Sequence, residues 1–253
     1  IDWVRRFDHM QQHTGQHLLS AIFADTYGLE TVSVHFGAES STLDLDTESL
    51  SQQTLLAAER LANIAVAESR AVTVSFEDAA TVTGLRKPPP REGELRVVSI
   101  DALDRSACGG THVRSTAEIG SILHRRTERV RKATRVEFIC GLRAVRAART
   151  DYELISALAL SLGVAPAELI AKTQAQGEEL RAAQAARREA ASALDGYRAR
   201  ELFDATPPDI AGHRRVIVHR ESGSVDELRS LAQAVDHPRL RCKPDTARSI
   251  RWP

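Results

Sequence analysis

Cysteine and long apolar segments are both scarce in this chain of 253 residues. Its three cysteines are Cys108, Cys140 and Cys242. An odd and sparse cysteine count argues against a disulfide scaffold and for a reducing compartment, so we expect a cytoplasmic protein. No apolar run reaches the roughly 18 residues that span a bilayer. No signal peptide is visible either, so no membrane partner is expected.

An excess of charge of either sign is also missing. Lysine and arginine together number 34, aspartate and glutamate also 34, and the formal net charge is zero. Global charge therefore predicts no partner, and a nucleic-acid surface would have to be a local patch. The length allows one sizeable core and a smaller second unit. The chain begins at Ile1 and its only methionine is Met10, so we expect it to be a fragment of a longer reading frame.

Two short clusters of metal donors stand out against this background. His13 and His17 lie in HTGQH, and Cys108 and His112 lie in CGGTH. Imidazole nitrogen and thiolate sulfur are donors that zinc prefers. Residues four apart on a helix share a face, so the two histidines of the first cluster can bind one ion. His9 lies on the same stripe, and helix geometry alone does not choose between the pairs 9/13 and 13/17.

The second cluster strengthens the case for zinc. Gly109 and Gly110 allow a tight turn, so that a cysteine and a histidine can converge on one point. The zinc helix of many peptidases carries a glutamate between its histidines as general base. The segment between His13 and His17 has no carboxylate, so a peptidase of that kind is disfavoured. Whether the zinc is structural or takes part in chemistry stays open at this point.

Periodicity predicts an α+β fold for residues 1–147, with a largely antiparallel sheet and packed helices around a zinc site. Asp8 is the predicted cap of the first helix and Gly28 its stop. The predicted helices are 8–27 and 48–69, and the predicted strands are two within 31–46, 72–76, 96–100, one near 118–124 and 135–140.

The composition changes after this domain. Residues 148–204 are rich in alanine, leucine, glutamate and arginine, which predicts a helical arm, either a helical hairpin or a thin coiled coil. Residues 205–253 predict a partial C-terminal α/β unit, with a strand at 214–219 and a helix at 224–235. The polar tail from Asp236 offers no core.

Four segments in order resemble the editing domain of alanyl-tRNA synthetases, and most closely its free-standing AlaX relatives in their long form. Threonyl-tRNA synthetase carries a related second additional domain. The resemblance covers residues 1–147, and a weaker one relates the rest to a C-terminal extension used for oligomerisation and tRNA contact. The segments are RRFDHMQQHTGQHLLSA (5–21), TVSVHFGAESSTLDLD (31–46), LRKPPPREGELR (85–96) and SACGGTHV (106–113).

The resemblance implies a zinc-dependent hydrolase that removes serine, and secondarily glycine, from mischarged tRNA(Ala). It assigns the metal to His13, His17, Cys108 and His112 and leaves His9 outside the set. A pocket sized for alanine cannot strongly reject a near-isostere that adds a hydroxyl, so a second, hydrolytic site is needed. The strand after the metal helix should line the substrate pocket, with Ser33 and His35 as candidates. The alternative is that these two are ordinary residues of an alternating strand.

Partners follow from the same resemblance. Arg86, Lys87 and Arg91 lie in a loop that could grip phosphates of the tRNA acceptor end, although a solvated charged loop is the more common explanation of such a run. The helical arm is expected to mediate a homodimer. Relatives of this kind carry a small β-rich domain before the metal helix, which these residues lack. No motif for amino-acid activation is present, so ligase activity is not expected.

Two rival functions remain. One is a non-catalytic tRNA-binding or assembly module with a structural zinc, as part of an alanyl-tRNA synthetase-like protein. The other is a zinc hydrolase for an unrelated ester or amide, in which Glu39 or Asp44 would serve as base.

Overall fold

Two antiparallel sheets and two helices make up the first part of the chain. The computed structural model describes residues 2–219 and 224–236. The chain divides into two units, residues 1–157 and residues 158–253. In chain order the first unit contains α1 (Trp3–Tyr27), β1 (Thr31–Phe36), β2 (Ser41–Leu45), α2 (Gln52–Ala67), β3 (Val72–Asp78), β4 (Glu94–Ile100), β5 (Asp104–Ala107), a 3₁₀ turn (Thr116–Ile119), β6 (Ile122–Val130), β7 (Ala133–Cys140) and the start of α3 (Leu142–Leu162).

The larger sheet has the order β1-β2-β7-β6, and the smaller one has the order β3-β4-β5. All neighbouring strands are antiparallel, as predicted. One face of the larger sheet packs against α1 and α2, and the alternation of apolar and polar residues along β2 and β7 supplies that face. Phe23 of α1 and Phe138 of β7 are among the largest buried side chains of this core. The α+β class is thereby confirmed.

Helix α1 begins earlier than the sequence predicted. The Asp2 side chain accepts a hydrogen bond from the backbone N–H of Arg5, so Asp2 and not Asp8 is the cap. Asp8 instead accepts two hydrogen bonds from the guanidinium of Arg143 in α3, at 2.8 and 2.6 Å. The predicted stop is confirmed, because Gly28 has a φ of 65° and its N–H bonds to the last carbonyls of the helix.

Close contacts dock α1 on the larger sheet. A Cβ on Gly15 would lie 2.4 Å from Sγ of Cys140 in β7, so only glycine allows this approach. The Gln12 side chain pairs with the backbone of Cys140, donating to its carbonyl at 3.1 Å and accepting from its N–H at 2.9 Å. These contacts set the height and rotation of the helix that carries His13 and His17.

The smaller sheet carries the second metal cluster. Strand β5 pairs with β4, and the CGGTH segment follows β5 directly. The Arg96 guanidinium, on β4, donates to the carbonyls of Cys108 at 2.6 Å and Gly110 at 2.8 Å. The turn is therefore held by the neighbouring strand as well as by its glycines.

Several predicted elements differ from the structure. The second helix is shorter, because Ser51 caps it and it ends at Ala67. The strand predicted near 118–124 begins at Ile122, after the 3₁₀ turn. The strand predicted at 214–219 is wrong, since those residues are irregular and no described strand lies beside them to form a ladder.

The second unit, as far as it is described, is helical. The predicted helical arm contains the end of α3, a 3₁₀ turn (Pro166–Glu168) and the long helix α4 (Leu169–Ala205). Helix α5 (Val225–Val235) packs against α4 and begins with a capping box formed by Ser224 and Glu227. The predicted helix at 224–235 is thus confirmed, while the boundaries 148–204 and 205–253 stay predictions. The tail after Asp236, which includes Cys242, lies outside the described residues.

No single described helix is long and apolar enough to cross a membrane, although α3 and α4 taken together reach that length and composition.

The homodimer through the helical arm stays a prediction. Helix α4 has no continuous apolar stripe because most of its apolar residues are alanines, but α3 exposes Leu154, Ile155 and Leu158. We expect light scattering to give twice the monomer mass at micromolar concentration. A constant monomer mass over a hundredfold concentration range would contradict the dimer.

Candidate metal centre

The four predicted metal ligands converge in space. One donor atom each from His13, His17, Cys108 and His112 lies within 4.8 Å of all the others. Sγ of Cys108 is 3.5 Å from Nε2 of His13 and 3.4 Å from Nε2 of His112. In a tetrahedral zinc site the sulfur and nitrogen ligands are ~3.5 Å apart, given the usual zinc–ligand bond lengths. The donor set and its spacing therefore fit a zinc ion.

His9 does not belong to this group. Among the described residues, the cluster contains His13, His17, Cys108 and His112 but not His9. His9 lines a separate groove near the start of α1. The open choice between the pairs 9/13 and 13/17 is thus decided by the position of the CGGTH turn, which lies against the His13 and His17 side of α1.

Hydrogen bonds fix the ring orientation of two histidines. Nδ1 of His17 lies 2.8 Å from Oδ2 of Asp104, so the ring donates there and directs Nε2 toward the cluster. Thr14 donates its one hydroxyl proton to the carbonyl of Met10, so its oxygen accepts from Nδ1–H of His112 at 3.2 Å. Nε2 of His112 is therefore free to act as a ligand.

The electrostatics prepare the cysteine for metal binding. Burial opposes ionisation of Cys108, but hydrogen bonds from His112, His13 and His17 outweigh it and lower its pKa to about 3. Burial alone would lower the pKa of His17, but its hydrogen bonds to Asp104 and Cys108 raise it above its ordinary value. The pKa of His112 is lowered by burial and by the charges of the neighbouring histidines. Thiolate and neutral imidazole are the forms that bind zinc.

Gly110 is the residue that lets the turn reach α1. A Cβ at this position would lie 2.2 Å from Cε1 and 2.6 Å from Nδ1 of the His13 ring. Gly109, by contrast, has nothing within 4 Å of the position of a Cβ and has no positive φ. Only one glycine of the pair is thus required by contact.

A cavity of about 420 Å³, lined by both polar and apolar side chains, adjoins the cluster and is within the range of small-molecule sites. His17 and Cys108 form part of its wall, next to the edge strand β1 and the loop between β3 and β4. Its lining residues are Gln16, His17, Thr31, Val32, Ser33, Val34, Arg86, Lys87, Pro88, Pro90, Ser106, Ala107 and Cys108.

The two predicted pocket residues have different surroundings. Ser33 lines the cavity and donates its hydroxyl proton to Asp44 at 2.6 Å. His35 lies on the same face of β1 but is exposed and is not among the lining residues. The roles predicted for both stay predictions.

The carboxylate of Asp44, which was considered as a general base, already accepts hydrogen bonds from other side chains. Its carboxylate accepts two hydrogen bonds from Arg135, at 2.7 and 2.9 Å, in addition to the one from Ser33. The Arg135 bonds are the main reason that the pKa of Asp44 is lowered. Glu39 lies exposed in the turn between β1 and β2. This arrangement gives neither carboxylate a place in the cavity wall.

The predicted phosphate-binding loop is partly committed to the protein itself. Arg86 is bound to Asp104 and Ser106, and Arg91 donates to the carbonyl of Glu94. The Lys87 ammonium donates to the carbonyl of Thr31 while lining the cavity. Contact with tRNA at these residues stays a prediction, and at Arg86 it would compete with two internal hydrogen bonds.

Sequence reasoning missed the residues that orient the ligands. Asp104, Thr14, Gln12 and Arg96 were not singled out, because each acts through a partner far away in sequence. A weak signal was present for Asp104, which is a carboxylate four residues before Cys108 in a segment that the fold buries.

Comparison with known proteins places this geometry in context. Residues 95–136 match the family described as "Threonyl and Alanyl tRNA synthetase second additional domain". The alanyl-tRNA editing protein Aarsd1-A of Xenopus laevis is 35% identical over 176 residues, which cover 67% of this chain and 43% of that protein. The alanyl-tRNA editing protein AlaX-L of Pyrococcus horikoshii is 33% identical over 150 residues, which cover 57% and 37% respectively.

An alanine–tRNA ligase also matches. The enzyme of Pyrococcus furiosus is 35% identical over 183 residues, which cover 67% of this chain and 20% of the ligase. The chain spans less than half the length of each of these three relatives. Together with the four converging donors, these similarities support an AlaX-like editing family for this chain.

Proposed function

We propose that this chain is a zinc-dependent aminoacyl-tRNA deacylase that acts in trans, in the cytoplasm, on mischarged tRNA(Ala). Its chief substrate is Ser-tRNA(Ala), with Gly-tRNA(Ala) as a second one. The observation that carries the proposal is a four-donor His/Cys cluster, two members of which, His17 and Cys108, line an adjoining cavity. The names of the relatives, alanyl-tRNA editing proteins, support the substrate class.

In this proposal the cavity receives the aminoacyl end of the tRNA. A bound zinc supplies a Lewis acid that anchors and polarises that end. The Lys87 ammonium at the cavity wall favours the negatively charged terminal nucleotide. Ser33 has already donated its proton to Asp44, so its oxygen accepts a hydrogen bond from a substrate hydroxyl or ammonium group.

The proposal is tested by following ester loss from Ser-tRNA(Ala) and Ala-tRNA(Ala) with purified, zinc-loaded protein. We expect the seryl ester to be hydrolysed at least about tenfold faster, which corresponds to one additional polar contact in the transition state. Equal, slow loss of both esters at the uncatalysed rate would contradict the proposal.

A second candidate function has support from the same cluster. Four protein donors can complete a tetrahedral shell, as in structural zinc sites. The chain would then be a non-catalytic tRNA-binding or assembly module. It would bind tRNA with an affinity that falls steeply with salt, unfold on chelation, and leave both esters intact in the same assay.

Thiol modification reports on the metal without tRNA. Cys108 is half-buried beside the cavity and surrounded by imidazoles, whereas Cys140 has no exposed surface. We expect zinc to protect Cys108 from iodoacetamide, and chelation to increase its rate of modification at least about tenfold, because a metal ion withdraws electron density from the thiolate that it binds and so lowers its nucleophilicity. Peptide mapping by mass spectrometry measures each cysteine separately, with Cys140 as the internal unreactive control. Equal modification of Cys108 with and without zinc would exclude it as a ligand.

A further inference from the structure

Asp104 is a buried carboxylate at the start of β5 that does not belong to the four donors. Its side chain has no exposed surface. Oδ2 lies 2.8 Å from Nδ1 of His17, and Oδ1 accepts from Nε of Arg86 at 2.8 Å. The Ser106 hydroxyl lies 3.0 and 2.9 Å from the two oxygens. One carboxylate thus joins a metal ligand to the loop between β3 and β4.

An enclosed carboxylate is stable only when its charge is compensated. Burial opposes ionisation of Asp104, but the hydrogen bond from His17 and the guanidinium of Arg86 outweigh it and lower its pKa. Both partners are needed, since removing one leaves a buried charge that is incompletely paired. The position of His17 and the position of Arg86 therefore depend on the same group.

Arg86 is built into the protein as an anchor. Its side chain is only 12% exposed, its Nη2 donates to Ser106 at 3.1 Å, and its backbone N–H donates to the carbonyl of Arg105 at 2.8 Å. The planar guanidinium holds the Asp104 and Ser106 oxygens with two different nitrogens in a fixed fork, a geometry that the single nitrogen of a lysine does not offer. Residues immediately after it, Lys87, Pro88 and Pro90, line the cavity.

We propose that Asp104 is a positioning residue that couples the metal centre to the cavity wall through Arg86. The inference rests on the zinc site of the proposed function. Zinc on Nε2 of His17 favours the Nδ1–H tautomer that donates to Asp104, and this fixes the carboxylate that holds Arg86. By reciprocity, loss of the Arg86 anchor weakens zinc binding although Arg86 contacts no donor atom.

Zinc affinity measured by competition with a chelator tests one direction of the coupling. We expect Asp104→Asn to weaken zinc binding by about 10–100-fold, the usual effect of losing a carboxylate behind a histidine ligand. Arg86→Gln is expected to weaken it by about tenfold, at the lower end of that range. Arg91→Gln is the matched control, because Arg91 lies in the same loop but donates only to the carbonyl of Glu94. Its affinity should stay within about twofold of the wild type.

Hydrogen exchange of residues 84–93 tests the other direction. Zinc should slow exchange of this loop in the wild type and in Arg91→Gln, and the effect should be lost in Arg86→Gln. Arg86→Gln keeps the coupling testable if Asp104→Asn does not fold, and far-UV circular dichroism checks each variant. An Arg86→Gln protein that binds zinc within twofold of the wild type, or a wild-type loop whose exchange does not respond to bound zinc, would overturn this inference and leave the proposed function standing. A wild-type chain that binds no zinc would overturn the proposed function with it.

Discussion

Gly110→Ala is expected to lower zinc affinity by on the order of 100-fold or more and to abolish deacylation, while the fold is retained. The new methyl group would lie 2.2 Å from the His13 ring, so the ring has to leave its place among the four donors. Displacing a ligand should cost at least as much as losing a group that merely orients one. The rest of the α1 contacts, including those of Gln12 and Gly15, do not involve this position.

The neighbouring glycine gives a matched control. Gly109→Ala introduces the same methyl group where nothing lies within 4 Å and where the backbone is not left-handed. We expect its zinc affinity to stay within about threefold of the wild type, because the added carbon meets open space. Chelator competition and the seryl-ester assay compare the two variants directly. Equal effects of the two substitutions would mean that the turn needs glycine for its backbone alone, and that the contact with His13 is irrelevant.

Cys108→Ala is expected to reduce the rate of Ser-tRNA(Ala) hydrolysis by more than about 100-fold and to remove stoichiometric zinc. The thiolate is the only sulfur donor of the cluster and its only negatively charged member, so the three neutral imidazoles that remain would leave the charge of a bound zinc ion uncompensated. The measurement is metal content by atomic spectroscopy together with the ester assay.

Cys140→Ala is the control for the loss of a thiol. Cys140 is fully buried on β7, and burial strongly raises its pKa, so its sulfur acts as an apolar group that packs against Gly15. We expect this variant to lose about 1 kcal/mol of stability through the small cavity it creates, and to retain zinc and activity.

A Cys108→Ala protein that still hydrolyses the seryl ester at the wild-type rate would refute the metal-dependent mechanism.

The candidate donor set could be predicted from sequence because residue types at a fixed spacing indicated zinc, and the family resemblance selected His13 and His17 over His9. A helix places His13 and His17 on one side, and the two glycines predicted a turn that brings Cys108 and His112 together. The hairpin of β1 and β2 was also predicted, because alternation of polar and apolar residues has the period of a strand.

The contacts that orient these ligands could not be predicted in the same way. Asp104 meets His17 across 87 positions and Thr14 meets His112 across 98, and nothing in the local sequence of either residue specifies such a partner. The error at the start of α1 has the same origin. Asp8 has the right chemistry for a cap, but Arg143, which is 135 positions away, holds its carboxylate. The strand predicted at 214–219 had β-branched residues but no described neighbour with which to pair.

The candidate metal ligands come from segments next to two different sheets, and this bears on the order of folding. His13 and Cys108 are 95 residues apart, and one lies on the helix that packs against the larger sheet while the other follows the last strand of the smaller sheet. Closing so long a loop is entropically costly before both sheets exist, so we expect the complete donor set to form late in folding. A zinc ion that binds the native donor set and not the unfolded chain would add its binding free energy to the stability of the junction between the two sheets.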